Sequence, residues 1–205
     1  MRALRIDRSV SRFALARVAA SLSTSRAAKV SSLAHVQMEL PKCPGEGWQV
    51  LHPILTGICG SDLALVEGHA SPYFEDWVSF PFVPGHEIVG RLEDGTRVVV
   101  EPVLGHAARG HKAPHANCAP GDGDDYAHLA LPPLEPGIQT GFCCSTGGGW
   151  SESLWVHESQ IHRIPDSLSD EAAVMVEPLA GGIHAAIAAI NSIKHNTHAA
   201  PTDEP

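Results

Sequence analysis

The sequence predicts a mainly β fold of the α+β class, a barrel-like sheet domain followed by helices, and two observations predict it. From residue 48 to about residue 165, short extended runs alternate with Gly, Pro and Asp turn signals, as in a many-stranded sheet. At residue 166 the character changes to Ser and acidic residues followed by Ala-rich helical sequence. A length of 205 residues allows one domain, or a domain plus an appendage, with a sizeable core. The expected organisation is a β domain over 1–165, a helical segment over 166–190 and a disordered polar tail over 191–205.

MRALRIDRSV at the N-terminus reads as a strand, because Leu4 and Ile6 alternate with Arg5 and Asp7 at period two. Residues 1–30 hold seven of the fourteen Lys/Arg and a single acid, Asp7. A basic edge strand resists unwanted pairing; the other reading of such an Arg- and Ser-rich start is an organelle transit peptide. WQVLHPIL (48–55) alternates, with Val50 and Ile54 on one side. EIVGRLEDGTRVVVEP (87–102) reads as a hairpin turning at Asp94-Gly95. Residues 111–137 are rich in Pro, Gly and Asp without a period, which predicts a long loop or lobe. GGGWSESLWVHESQIHRIP (147–165) returns to strand-like alternation, its glycines marking a turn or a close backbone approach. In the C-terminal segment Ser167 and Ser169 are N-cap candidates, Pro178 should end or kink a first helix, and a second should run over 181–190.

Composition excludes several classes of partner. Fourteen basic against twenty-three acidic residues give a net charge of −9, which argues against nucleic acid or an anionic membrane. The most apolar stretch, EAAVMVEPLAGGIHAAIAAI, is interrupted by Glu177, Pro178 and His184, so no membrane span is expected. Five cysteines, an odd number without a CxxC pair, point away from a disulfide framework and toward a reducing, cytoplasmic location, with organelle targeting as the alternative. Cys143 and Cys144 read as two neighbouring thiols, and Trp150 and Phe142 as core residues.

Two short stretches carry chemistry. PGHE (84–87) places His86 beside Glu87 at a strand entrance, either as a polar turn or as metal ligands. GICGSD (57–62) puts Cys59 between glycines at a sharp turn, either as a small buried hydrophobe or as a reactive thiol. Together with GGGW-SE and VEPLA, in this order and spacing over residues 1–190, these motifs resemble the zinc-dependent medium-chain alcohol dehydrogenases, whose N-terminal half is a GroES-like barrel. The alcohol and polyol branch, with a glutamate before Pro-Leu-Ala, is the most similar. The resemblance implies that Cys59 and His86 bind one catalytic zinc, with Glu87 and Glu177 supplying or exchanging the carboxylate ligand. It implies a proton relay through Ser61, with Asp62 orienting the histidine. The reaction implied is oxidation of a small alcohol or polyol, zinc acting as Lewis acid and NAD or NADP accepting the hydride. Successive strand side chains point to opposite faces, so His86 and Glu87 reach one ion only from irregular backbone, which Gly85 can supply.

The chain also departs from that pattern. The four-cysteine lobe of many relatives falls here on Lys112, His115, Cys118 and Tyr126, so no structural zinc is expected. After VEPLA the glycine-rich turn of a Rossmann domain is expected, yet residues 190–205 read INSIKHNTHAAPTDEP. The expectation is a catalytic portion without a complete Rossmann domain, whose cofactor domain is missing or lies on a separate chain, with an oligomer as a further partner arrangement. The alternative is a non-catalytic zinc-binding GroES-like module or truncated relic.

Overall fold

The computed structural model describes residues 1–70, 76–116, 118 and 127–197. The first strand, β1 (Arg2–Ile6), forms as its period-two pattern predicts and pairs antiparallel with β2 (Leu33–Gln37). Between them lie two helices that the sequence reading did not anticipate, α1 (Val10–Ala20) and α2 (Thr24–Val30). Their local logic is plain. Ser9 accepts from the Arg12 amide and Ser23 from the Arg26 amide, the hydroxyl N-caps that helix starts favour. Phe13 and Ala16, three residues apart, make the buried face of α1.

The main sheet has five antiparallel strands in the order β6-β3-β4-β5-β7. They are β3 (Trp48–Thr56), β4 (Ile88–Leu92), β5 (Arg97–Val100), β6 (Leu154–His157) and β7 (Ile161–Arg163), with α3 (Gly60–Val66) between β3 and β4. The β4–β5 hairpin turns where expected. Leu92 donates to the Thr96 carbonyl, the Thr96 amide donates to Asp94, and Gly95 takes φ +85°. Both central strands are covered on both faces. Ile88, Leu92, Val98 and Val100 meet Leu51, Leu154 and Val156, while Val89 and Val99 meet Ala173 on the other side. In β3 it is Leu51 that is fully buried, whereas Ile54 is exposed, and the register shifts between Pro53 and Leu55. Pro53 has no N–H to give the ladder, which is where such irregularities fall.

A separate apolar cluster of Ile6, Phe13, Leu65, Ala70, Phe82 and Phe142 joins β1, α1 and α3 to the segment that leads into His86. At the C-terminal end Ser169 caps α4 (Asp170–Ala173), and Arg97 bridges to Asp170 at 2.6 Å and to the Leu168 carbonyl at 2.8 Å. The second helix, α5, runs over Val176–Thr197, longer than the expected 181–190 and into the expected tail. Pro178 does not break it, since it lies in the first turn, where a missing N–H removes no intrahelical bond. Leu179, Ile183 and Ile187 on α5 are exposed. Residues Asp170–Ile190 are long and apolar enough to cross a membrane by length and composition, which the interruptions at Glu177, Pro178 and His184 do not prevent. Residues 117 and 119–126 of the 111–137 segment, Tyr126 among them, lie outside the described residues.

Candidate metal centre

Two arms of backbone bring the predicted residues together. The first leaves β3 at Thr56, passes Gly57 and Ile58, and enters α3 with Cys59 as the residue before the first turn. The second is the irregular stretch before β4, where Gly85 takes φ +92°. That left-handed residue is the backbone irregularity required for His86 and Glu87 to turn the same way. The ligand atoms of Cys59, His86 and Glu87 all lie within 4.8 Å of one another. His86 and Glu87 are buried and Cys59 is half-buried.

Asp62 couples the two arms. Its Oδ2 accepts from the Cys59 amide at 3.0 Å, and its Oδ1 lies 3.8 Å from Nδ1 of His86. Among the described residues neither Oδ1 nor Nδ1 has a hydrogen-bond partner, although both are buried. Such orphaned atoms in a buried site are costly unless a ligand or a small rotation completes them. Burial raises the Asp62 carboxyl above its usual range, with His86 and the Cys59 and Gly85 amides pulling it down and Glu87 adding to the rise. A cation among these groups would reverse that balance by favouring every charged carboxylate.

Glu177 stands apart from the three-residue set. It is half-buried in the first turn of α5, and its carboxyl is raised by burial; His86 lowers it, while Glu87, Glu101 and Asp62 raise it further. Glu87, then, is the carboxylate grouped with Cys59 and His86. Ser61 is exposed on the first turn of α3, also outside the set. Thiolate, imidazole and carboxylate together suit zinc, and the unpaired His86–Asp62 atoms are what an outer carboxylate orienting a ligand histidine would use. The residues fit the metal.

Two features escaped the sequence reading. A Cβ on Gly57 would sit 1.8 Å from Oε2 of Glu87, so the first glycine of GICGSD makes room for that carboxylate. Trp150, expected in the core, is half-buried, and its indole N–H reaches the Gly57 carbonyl at 3.5 Å. Phe142 is a core residue as expected, with its ring centroid 6.1 Å from that of His86. The neighbouring thiols Cys143 and Cys144 are free. Cys143 is buried, which pushes its thiol up.

Comparison with known proteins bears on the family and the fold. The family model described as the alcohol dehydrogenase GroES-like domain matches residues 45–166. Starvation-sensing protein RspB of Escherichia coli is 32% identical over 160 residues, covering 73% of this chain and 41% of that protein. Sorbitol dehydrogenase of Bacillus subtilis is 33% identical over 142 residues, covering 63% and 35% respectively. Among solved structures, the short chain alcohol dehydrogenase rspB from E. coli, complexed with cofactor NADH, superposes with a TM-score of 0.55. It is 24% identical and covers 87% of this chain and 42% of that one, a likeness of fold. The chain thus spans 41% and 35% of the length of the two curated relatives.

Proposed function

Because the chain belongs to the alcohol dehydrogenase GroES-like domain family, we propose that it is the metal-binding catalytic portion of a zinc-dependent alcohol or polyol dehydrogenase. The reaction is oxidation of a hydroxyl to a carbonyl, with NAD or NADP held by a nucleotide-binding domain outside residues 1–205. The observation that carries this reading is the convergence of Cys59, His86 and Glu87 within 4.8 Å beside Asp62.

Zinc bound by Cys59, His86 and a carboxylate would supply Lewis acidity at an alcohol oxygen and, being redox-inert, would leave the hydride to the nicotinamide. The chain's own residues do the rest. Asp62 faces Nδ1 of His86 at 3.8 Å, so a small rotation that closes this gap would let the Nδ1 hydrogen donate to the carboxylate and leave Nε2 as the metal donor. Buried Asp62, His86 and Glu87 keep water from that side of the site. Ser61, exposed two residues beyond Cys59, takes the proton released by the alcohol and passes it to solvent. Glu177 is the second carboxylate that would hold the zinc, as the alternative to Glu87.

The test is metal content of the purified chain by mass spectrometry. We expect about one zinc per chain from a single three-donor site, lost in Cys59→Ala. Retention of full zinc by that variant would exclude the site. Calorimetric titration with NADH then asks whether the nucleotide site lies elsewhere: heat of binding to this chain alone would contradict the division of labour proposed here.

A further inference from the structure

The GGGW stretch has no role in the chemistry above, yet it lies directly behind both arms that carry the ligands. The Gly149 amide donates to the Gly85 carbonyl at 2.8 Å and the Trp150 amide to the Pro84 carbonyl at 3.0 Å, fixing the two peptides before His86. The Thr56 hydroxyl donates to the Gly149 carbonyl at 2.9 Å, tying the same turn to the end of β3, three residues before Cys59. The approach is too close for side chains. A Cβ on Gly148 would lie 2.0 Å from the Val83 carbonyl oxygen, and one on Gly149 would lie 2.6 Å from the Thr56 side chain.

Trp150 then fills the space between the arms. Its Cδ1 would be 2.5 Å from a Cβ on Gly85, so the indole packs flush on the peptide preceding His86. Its Nε1 hydrogen points at the carbonyl of Gly57, two residues before Cys59. Gly57 in turn donates its amide to the Glu87 carbonyl at 2.8 Å, closing the loop between the arms. One rigid ring with two χ angles therefore touches the backbone of the thiolate arm and of the imidazole–carboxylate arm at once.

We propose that Trp150 is a positioning residue that sets the separation of Cys59 from His86 and Glu87, acting through Gly57 and Gly85 rather than on any ligand atom. This rests on the metal-site reading given above. Supports behind metal ligands typically change affinity about 10–100-fold when lost, and Trp150 should behave as one of them.

The experiment titrates Co2+ into the purified 205-residue chain, reading the thiolate-to-metal absorption band and the dissociation constant, with thermal midpoints of the metal-free proteins alongside. Trp150→Ala should weaken binding by about 10-fold or more and alter the band. Trp150→Phe, which keeps the ring packing and removes the N–H, should fall between it and the wild type, and it covers the case where the alanine variant does not fold. Trp155→Ala is the control. Trp155 is also half-buried in the barrel, but its indole N–H donates to the Pro41 carbonyl at 2.7 Å, away from the arms. It should lower the thermal midpoint and leave Co2+ affinity unchanged. Wild-type affinity in both Trp150 variants, or an equal loss in Trp155→Ala, overturns the positioning role while leaving the metal site standing. A wild-type chain that takes up no Co2+ overturns the metal site, and the positioning role with it.

Discussion

At the scale of single residues, the site depends on groups that are small or absent as much as on those that bind. Gly57 is the sharpest case. Alanine there collides with Glu87, and the collision can be relieved only by moving the carboxylate or the backbone that leads to Cys59. Gly57→Ala should therefore lower zinc affinity by roughly the 10–100-fold range of a lost support, read by competition with a chromogenic chelator. A second residue sets a pH dependence away from the site. Burial lowers the pKa of His157, while Glu158 offsets part of that effect. Its Nδ1 accepts the Ser159 amide at 3.2 Å, and its ring meets Trp48 edge-on at 5.5 Å between centroids. A proton on Nδ1 would abolish that acceptance. Because the folded value lies below the ordinary one of about 6.5, the contribution is complete above that pH and is lost as the pH falls through the lower folded value. Urea midpoints should drop as the pH falls below about 6.5, and His157→Gln should flatten the step.

At the scale of elements, the lobe that follows β5 is organised by one buried cation. Arg109 is 1% exposed and, among the described residues, has no carboxylate partner; its guanidinium donates to the carbonyls of Leu104, Leu131, Leu134, Glu135 and Gly137. One planar fork thus ties the stretch ahead of the segment read from sequence as a long loop to the C-terminal end of that segment. Burial lowers the Arg109 pKa, and the carbonyl oxygens are what make its charge tolerable there. Arg109→Met removes the charge and leaves several acceptors unmet. It should destabilise the fold by about 3 kcal/mol, given about 1–3 kcal/mol for each buried group left unsatisfied, measured by urea unfolding. The sequence could not reveal this, since an arginine in HAARGHK looks like any surface cation until its carbonyl partners, distant along the chain, are known. The hairpin was legible because Asp-Gly between alternating apolar runs is a local signal. The helices α1 and α2 were missed because their buried positions, Phe13, Ala16 and Ala27, are sparse and two of the three are alanine.

At the scale of the whole molecule, a metal would add a cross-link between two segments that the sheet already brings side by side. Cys59 follows β3 and His86 precedes β4, the two strands in register from Leu51↔Leu92 to Thr56↔Ile88. An ion bound by both arms favours the folded state by mass action, about 2.7 kcal/mol at a hundredfold excess over its dissociation constant. Saturating zinc should raise the thermal midpoint of the wild type by several degrees, and a chelator should reverse the gain; Cys59→Ala should show neither effect. The motif residues of this centre were legible because Cys59, His86 and Glu87 fall in short, distinctive strings. Their supports were not, because Gly57, Gly85 and Trp150 act through contacts between segments more than sixty residues apart in the case of Trp150.

The pairing of β1 with β2 has a practical corollary. Ile6 and Leu33 face each other as the last rungs of that ladder, so everything between them departs and returns at adjacent points. Residues 7–32 can therefore be treated as an excursion, replaceable by a two-residue Asn-Gly link that suits a tight reversal, at the cost of the core contact made by Phe13 and the packing of buried Ala16 and Ala27. A shortened chain of this kind should still bind zinc; if it does not, the excursion is part of the scaffold. The same junction would also serve as a place to splice in a fluorescent or affinity module without crossing either arm of the site.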